Sequence, residues 1–173
     1  KLAGEQINEK NPELANKQEV AKQVGVGAIV FGDLKNERTN NIDFVLADQL
    51  KFEGETGPYV QYSHARAESI LRKASNVDVK AAGNTITDPE AWDTIKTLAD
   101  FPAIVKMACK ELEPSVIAKY AIRLAKTFNK YYAHSKILTE DAELPARLAL
   151  VKAVSTVLKE SLRLLGVQAP DEM

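Results

Sequence analysis

Phe52-Glu-Gly-Glu-Thr-Gly-Pro-Tyr-Val-Gln-Tyr-Ser-His-Ala-Arg66 joins a glycine turn, a helix start and two tyrosines one helical turn apart. Gly54 and Gly57 open backbone angles closed to other residues, Thr56 is a capping residue, and Pro58 suits a first turn, where its missing N–H leaves no bond unmade. Tyr59, Tyr62 and Arg66 fall at i, i+3 and i+7 along one edge of the helix that follows. That edge stands about 80° or more from the apolar edge of Val60, Ala67 and Leu71. Two phenol rings beside a guanidinium form a surface on which a flat, anionic group can stack. The same pattern also serves tyrosines that rim a core and keep their hydroxyls wet.

Helical periodicity extends outward from this stretch in both directions, and alternating β-branched runs are almost absent. The fold expected is all-α, an antiparallel helical bundle held by short connections. Upstream, a polar lead over 1–10 meets Asn11-Pro12, and a helix is expected from Pro12 to Phe31. Its apolar part holds Gly25 and Gly27, which let another backbone come close. Ile42 to Leu46 is expected to be extended or irregular. Downstream, the helix from Pro58 reaches about Ala74, and Ser75 to Thr87, with Gly83-Asn84, reads as a mobile surface loop. Asp88-Pro89-Glu90 supplies a cap, a first-turn proline and an early acid. Further helices are expected near 88–99, 101–112, 114–136 and 143–165, the last closed by Gly166.

One core fits a chain of 173 residues. Net charge is −1, so a role with nucleic acid rests on where charge is placed rather than on its total. A single cysteine, Cys109, excludes an internal disulfide and a cysteine-based zinc site, and fits a reducing compartment. With no apolar run near the ~18 residues of a membrane span, the expected location is the cytoplasm, with no membrane partner. Lys1 opens the chain without an initiator methionine, inside what reads as a continuing helix, which suggests a piece of a longer protein. Two histidines far apart in sequence and no clustered carboxylates give no convincing catalytic or metal site.

The helix over 114–136 is uneven in charge. Between Pro114 and Leu138 there are five basic residues and no acid. Lys119, Arg123, Lys126 and Lys130 share a stripe about 60° wide, opposite Ile117, Ala121, Leu124 and Phe128. The stripe is read as an unopposed ridge facing an anionic partner, nucleic acid, the alternative being a solvated face whose acids come from neighbouring helices. Asn129, Lys130, Tyr132 and His134 then interleave amide, ammonium, ring and imidazole. Rings between cations are what looped RNA requires, since splayed bases stack on aromatic faces while cations hold the backbone. Phe128 reads as core.

Val26 to Phe31, Asp43-Phe44, Phe52 to Arg66, Phe128 to Tyr132, Pro145 to Leu150 and Leu164 to Met173 together resemble, in order and spacing, the C-terminal part of arginyl-tRNA synthetases. In that class I family this part is the helical anticodon-binding domain called DALR, after the element that Ala146-Arg147-Leu148 resembles. The resemblance implies a division into a helical lead over 1–22, belonging with a catalytic domain of the same polypeptide, and an anticodon-binding domain over 23–173. It implies that Tyr59, Tyr62 and Arg66 face arginine tRNA, that Tyr132 stands near the anticodon loop, and that Met173 shapes a base pocket. Lys136 replaces an aromatic ring found in some relatives, and Glu172 replaces a common arginine, so contacts from those positions do not transfer.

The family's His-Ile-Gly-His signature, its lysine-serine loop and its nucleotide sheet have no counterpart in these residues. The resemblance therefore assigns ATP, with magnesium, to the parent enzyme and no cofactor and no catalysis to this part. The alternatives left open are the corresponding domain of another class I synthetase and a helical adaptor that binds protein.

Overall fold

The computed structural model describes residues 2–79 and 86–173. Among the described residues the regular elements are all helices: α1 (Leu2–Lys10), α2 (Lys17–Leu34), α3 (Leu46–Gln49), α4 (Gly57–Lys73), α5 (Ala91–Ala99), α6 (Phe101–Glu111), α7 (Ser115–His134) and α8 (Leu144–Leu164). None is long and apolar enough to cross a membrane.

The quoted stretch behaves as its residues dictate. Thr56 is extended and caps α4: its hydroxyl accepts the Tyr59 N–H at 3.1 Å and donates to the Lys51 carbonyl at 2.5 Å. Removing such a cap costs about 1 kcal/mol. Val60, Ala67 and Ile70 turn inward from α4 to meet Phe128 and Tyr131 of α7 and Leu148, Val151 and Leu158 of α8, which form the main core. A smaller core lies between α1 and the first part of α2, built on Ile7, Leu14, Val20, Val24 and Leu50. The division expected between residues 22 and 23 falls inside α2.

Close approach of α2 and α4 depends on two glycines. A Cβ on Gly57 would lie 2.6 Å from the Gly27 carbonyl oxygen, and one on Gly27 would meet the Gln61 amide at 2.7 Å. Gln61 is wholly buried and donates from Nε2 to the carbonyls of Gln23, at 3.2 Å, and Gln168, at 2.8 Å. It thereby ties α4 both to α2 and to the C-terminal tail. Gly166 adopts φ +73°, and Val167 N–H reaches back to the Leu162 carbonyl at 2.9 Å, so α8 ends in a Schellman motif and the tail folds back over α4.

Several elements differ from the expected ones. No helix begins at Pro12: Asn11 to Asn16 form a turn, because Leu14 is drawn into the small core, and α2 starts at Lys17. A short helix, α3, follows the irregular segment at 41–45. Asp88 does not cap α5, which starts at Ala91. Its carboxylate accepts the Tyr131 hydroxyl at 3.2 Å instead. Burial and the adjacent Asp88 charge raise the proton affinity of that phenol. Of the expected surface loop, Gly83-Asn84 lies outside the described residues.

Candidate nucleic-acid interface

A groove of about 720 Å³ opens between α4, the end of α7, the segment at 135–139 and the C-terminal tail. Tyr62, Arg66, Tyr132 and Met173 all line it. α4 places Tyr62 and Arg66 one turn apart, and α7 brings Tyr132 up from the opposite wall. The Arg66 guanidinium carbon lies 4.9 Å from the centroid of each ring, so one cation contacts two phenols. Phe52 and Tyr62 pack edge to face, with centroids 5.9 Å apart. Tyr132 is 45% exposed, which leaves ring surface open to a partner.

Asn129 sets the direction of Arg66 from below. Its Oδ1 accepts a short bond from the guanidinium, and its Nδ2 donates at 2.8 Å to Ser63, whose hydroxyl donates at 2.8 Å to the Tyr59 carbonyl. Because that partner is a neutral amide, the Arg66 charge keeps its reach into the groove. Arg66, Arg72, Lys73 and Lys136 line the groove against one carboxylate, Glu172. Of these, sequence reasoning does not single out Arg72 or Lys73, although Lys73 follows Arg66 at i+7 on the same face, and it takes Lys136 as a departure from the family's pattern from which no contact transfers. No sequence signal marks Asn11, which donates to the Met173 carbonyl at 3.3 Å across 162 residues.

The wall at 135–139 is shaped by Arg147 of α8, which is only 5% exposed. Its guanidinium donates to the carbonyls of Ile137, at 3.1 Å, and Thr139, at 2.9 Å, and to Asp141 at 2.5 Å. The Arg147 hydrogen bond holds the Asp141 carboxyl below its ordinary value against some desolvation. Five donors in a rigid fork suit this convergence of acceptors, which a lysine would not match.

The basic stripe is corrected by the structure. Its cations do point outward, but each meets a carboxylate from another element: Lys119 with Glu37 at 2.9 Å, Arg123 with Asp100 at 2.9 Å, Lys126 with Glu55 at 2.7 Å and Lys130 with Asp93 at 3.9 Å. The acids lie between 37 and 100, too far away in sequence for the periodicity of α7 to reveal them. The expectation of an unopposed ridge fails, and the stripe stands outside the groove. Tyr59 likewise leaves the expected outward edge, because it is half-buried against the main core. His134 is exposed but turns onto its own helix, with Nδ1 2.8 Å from the Lys130 carbonyl.

Among the described residues one cluster offers metal-ligand atoms, His64, Glu68 and Asp171, all within 4.8 Å of one another. Lys159 lies 3.2 Å from Asp171, and Lys152 lies 3.9 Å from Glu68. Ammonium groups already balance both carboxylates, so the cluster reads as an ion-pair network.

Comparison with known proteins bears on this geometry. The family described as DALR anticodon binding domain matches residues 60–173. The arginine–tRNA ligase of Levilactobacillus brevis is 90% identical over 173 residues, covering 100% of this chain and 31% of that relative. That of Pediococcus pentosaceus is 71% identical over 172 residues, covering 99% of this chain and 30% of its own length. Among solved structures, arginyl-tRNA synthetase of Thermus thermophilus superposes with a TM-score of 0.88 at 38% identity, over 99% of this chain and 30% of that one. The chain thus spans about a third of the length of the relatives it matches.

Proposed function

The chain belongs to the DALR anticodon binding domain family, and on that premise we propose that it is the tRNA-binding part of an arginine–tRNA ligase, reading the anticodon loop of arginine tRNA in the groove beside Arg66. The observation that carries this reading is one guanidinium shared by two tyrosine rings in a groove with four cations and one carboxylate. A splayed base stacks on the exposed ring of Tyr132, for about 1–3 kcal/mol by the usual measure of such contacts. Arg66, Lys73 and Lys136 hold the phosphates, Arg72 being paired with Glu172, and the flexible thioether of Met173 supplies an apolar wall that adapts to a base edge.

Attachment of arginine, with ATP and magnesium, is assigned to the catalytic domain of the same polypeptide. This part contributes recognition energy and alignment, so that contacts at the anticodon act on turnover through positioning. An apolar cleft lined by Leu2, Val26, Ile29 and Leu46, on the side of α1 to α3, fits the surface that the rest of the polypeptide covers. The four pairs of the stripe are assigned to the fold and not to the RNA.

Competition among tRNAs of different amino acid identity tests the reading. Arginine tRNA is expected to displace the others, with a log–log salt slope of about −2 if roughly three phosphates of a single-stranded loop are neutralised. Equal displacement by all tRNAs, or affinity independent of salt, overturns it.

A further inference from the structure

His64 is wholly buried on α4, midway in sequence between Tyr62 and Arg66, and is not among the residues that line the groove. Its Nδ1 lies 3.2 Å from the Ser155 carbonyl of α8 and its Nε2 lies 3.1 Å from the Asp171 carboxylate of the tail. A carbonyl and an ionised carboxylate only accept hydrogen bonds, so both contacts are made when both ring nitrogens carry protons. The Ser155 hydroxyl does not relieve this requirement, because its own proton goes to Glu68 in a short bond.

We infer that His64 is a positioning residue for the groove: its buried ring latches the C-terminal tail through Asp171 and so sets where Met173 stands. The tail runs from Asp171 directly into Glu172 and Met173, both of which line the groove. Other groups hold the same segment. Lys159 donates to Asp171 at 3.2 Å, Arg72 donates to the Asp171 carbonyl at 3.0 Å and pairs with Glu172 at 3.3 Å, and Asn11 holds the Met173 carbonyl. Glu68, with Lys152 3.9 Å away, faces the cluster from the other side. Loss of the imidazole contact releases that end of the tail while these other ties remain. Met173 then shifts without unfolding of the bundle. Burial tends to raise the Asp171 carboxyl, but the bonds from His64 and Lys159 outweigh it and leave the group below its ordinary value.

The consequence for RNA rests on the groove reading given above, whereas the latch itself is tested without RNA. The chain holds two methionines, Met107 on α6 and Met173 in the tail, so 13C-methyl methionine spectra give one reporter and one control. In His64→Gln the Met173 resonance is expected to move while that of Met107 stays fixed, and Asp171→Asn, at a half-exposed carboxylate, is expected to do the same with the fold intact. A Met173 resonance unchanged in both variants overturns the latch. Affinity for an anticodon stem-loop is expected to fall about fivefold in either variant, the effect of one hydrogen bond. If Met173 moves but Tyr132→Ala leaves RNA affinity unchanged, the latch stands and the groove reading fails.

Discussion

Arg66 in the groove and Arg123 on the outer face of α7 both lie over tyrosine rings, the first 4.9 Å from Tyr62 and from Tyr132, the second 5.5 Å from Tyr120. Their other partners differ. Arg123 is bound to the Asp100 carboxylate, whereas Arg66 is bound to the neutral Asn129 amide. The rings differ as well. Tyr120 is buried, its hydroxyl donates to the Thr97 carbonyl at 2.9 Å, and burial pushes its phenol up to about 12. Tyr132 keeps 45% of its surface open. A cation over an aromatic ring therefore says little about function by itself. What separates the two faces is whether a carboxylate has already taken the charge and whether the ring is left uncovered.

The strongest way to break the contrast is to unseat the helix that carries the groove side. Gly57→Ala places a methyl 2.6 Å from the Gly27 oxygen and 2.8 Å from the Phe31 Cβ, neither of which can swing away. A stability loss near the upper end of the usual overpacking range, about 3 kcal/mol, is expected in urea unfolding. RNA binding should fall with it; an unchanged midpoint would mean that α2 and α4 can separate freely.

Tyr132→Ala acts on one face alone. Affinity for the anticodon stem-loop is expected to drop by about 1–3 kcal/mol with little change in unfolding, as measured by fluorescence anisotropy. Replacing Lys119, Arg123, Lys126 and Lys130 together by methionine sharpens the comparison from the other side. Because each cation already has a carboxylate, the salt slope of RNA binding is expected to stay within about one unit of the unaltered value, and stability to change by roughly 0–1 kcal/mol per pair. Collapse of both slope and affinity would return the stripe to the interface.

The smallest effect concerns pH. The Lys126 hydrogen bond lowers the Glu55 carboxyl, so the folded state holds its proton more weakly than the unfolded chain. The resulting stability is present above the unfolded value, near about 4.3, and is lost as pH falls through the lower folded value. Lys126→Met should make unfolding midpoints less sensitive to acid, by well under about 1 kcal/mol for so exposed a pair. Equal acid sensitivity with and without Lys126 would show the pair to be idle.

Local chemistry was legible wherever its partners lie within a few turns of each other. The Thr56 cap, the Pro58 start, the Gly166 stop and the inward face of Ile117, Ala121, Leu124 and Phe128 all follow from spacing, because helix geometry alone fixes those neighbours. Asp88 shows where this fails: its cap pattern is intact, yet Tyr131, 43 residues away, claims the carboxylate.

By itself, then, the sequence determined a helical fold, the ends of α4 and α8, the residue types suited to stacking and phosphate, and a likeness to one family. Only the tertiary structure decided which cations remain available. Charge pairing across 71 to 82 residues, as in Lys126 with Glu55 and Lys119 with Glu37, depends on how helices are laid side by side, and no helical period carries that information. The groove depends on the same kind of contact, since Tyr62, Tyr132 and Met173 become neighbours only when α4, α7 and the tail close over one core.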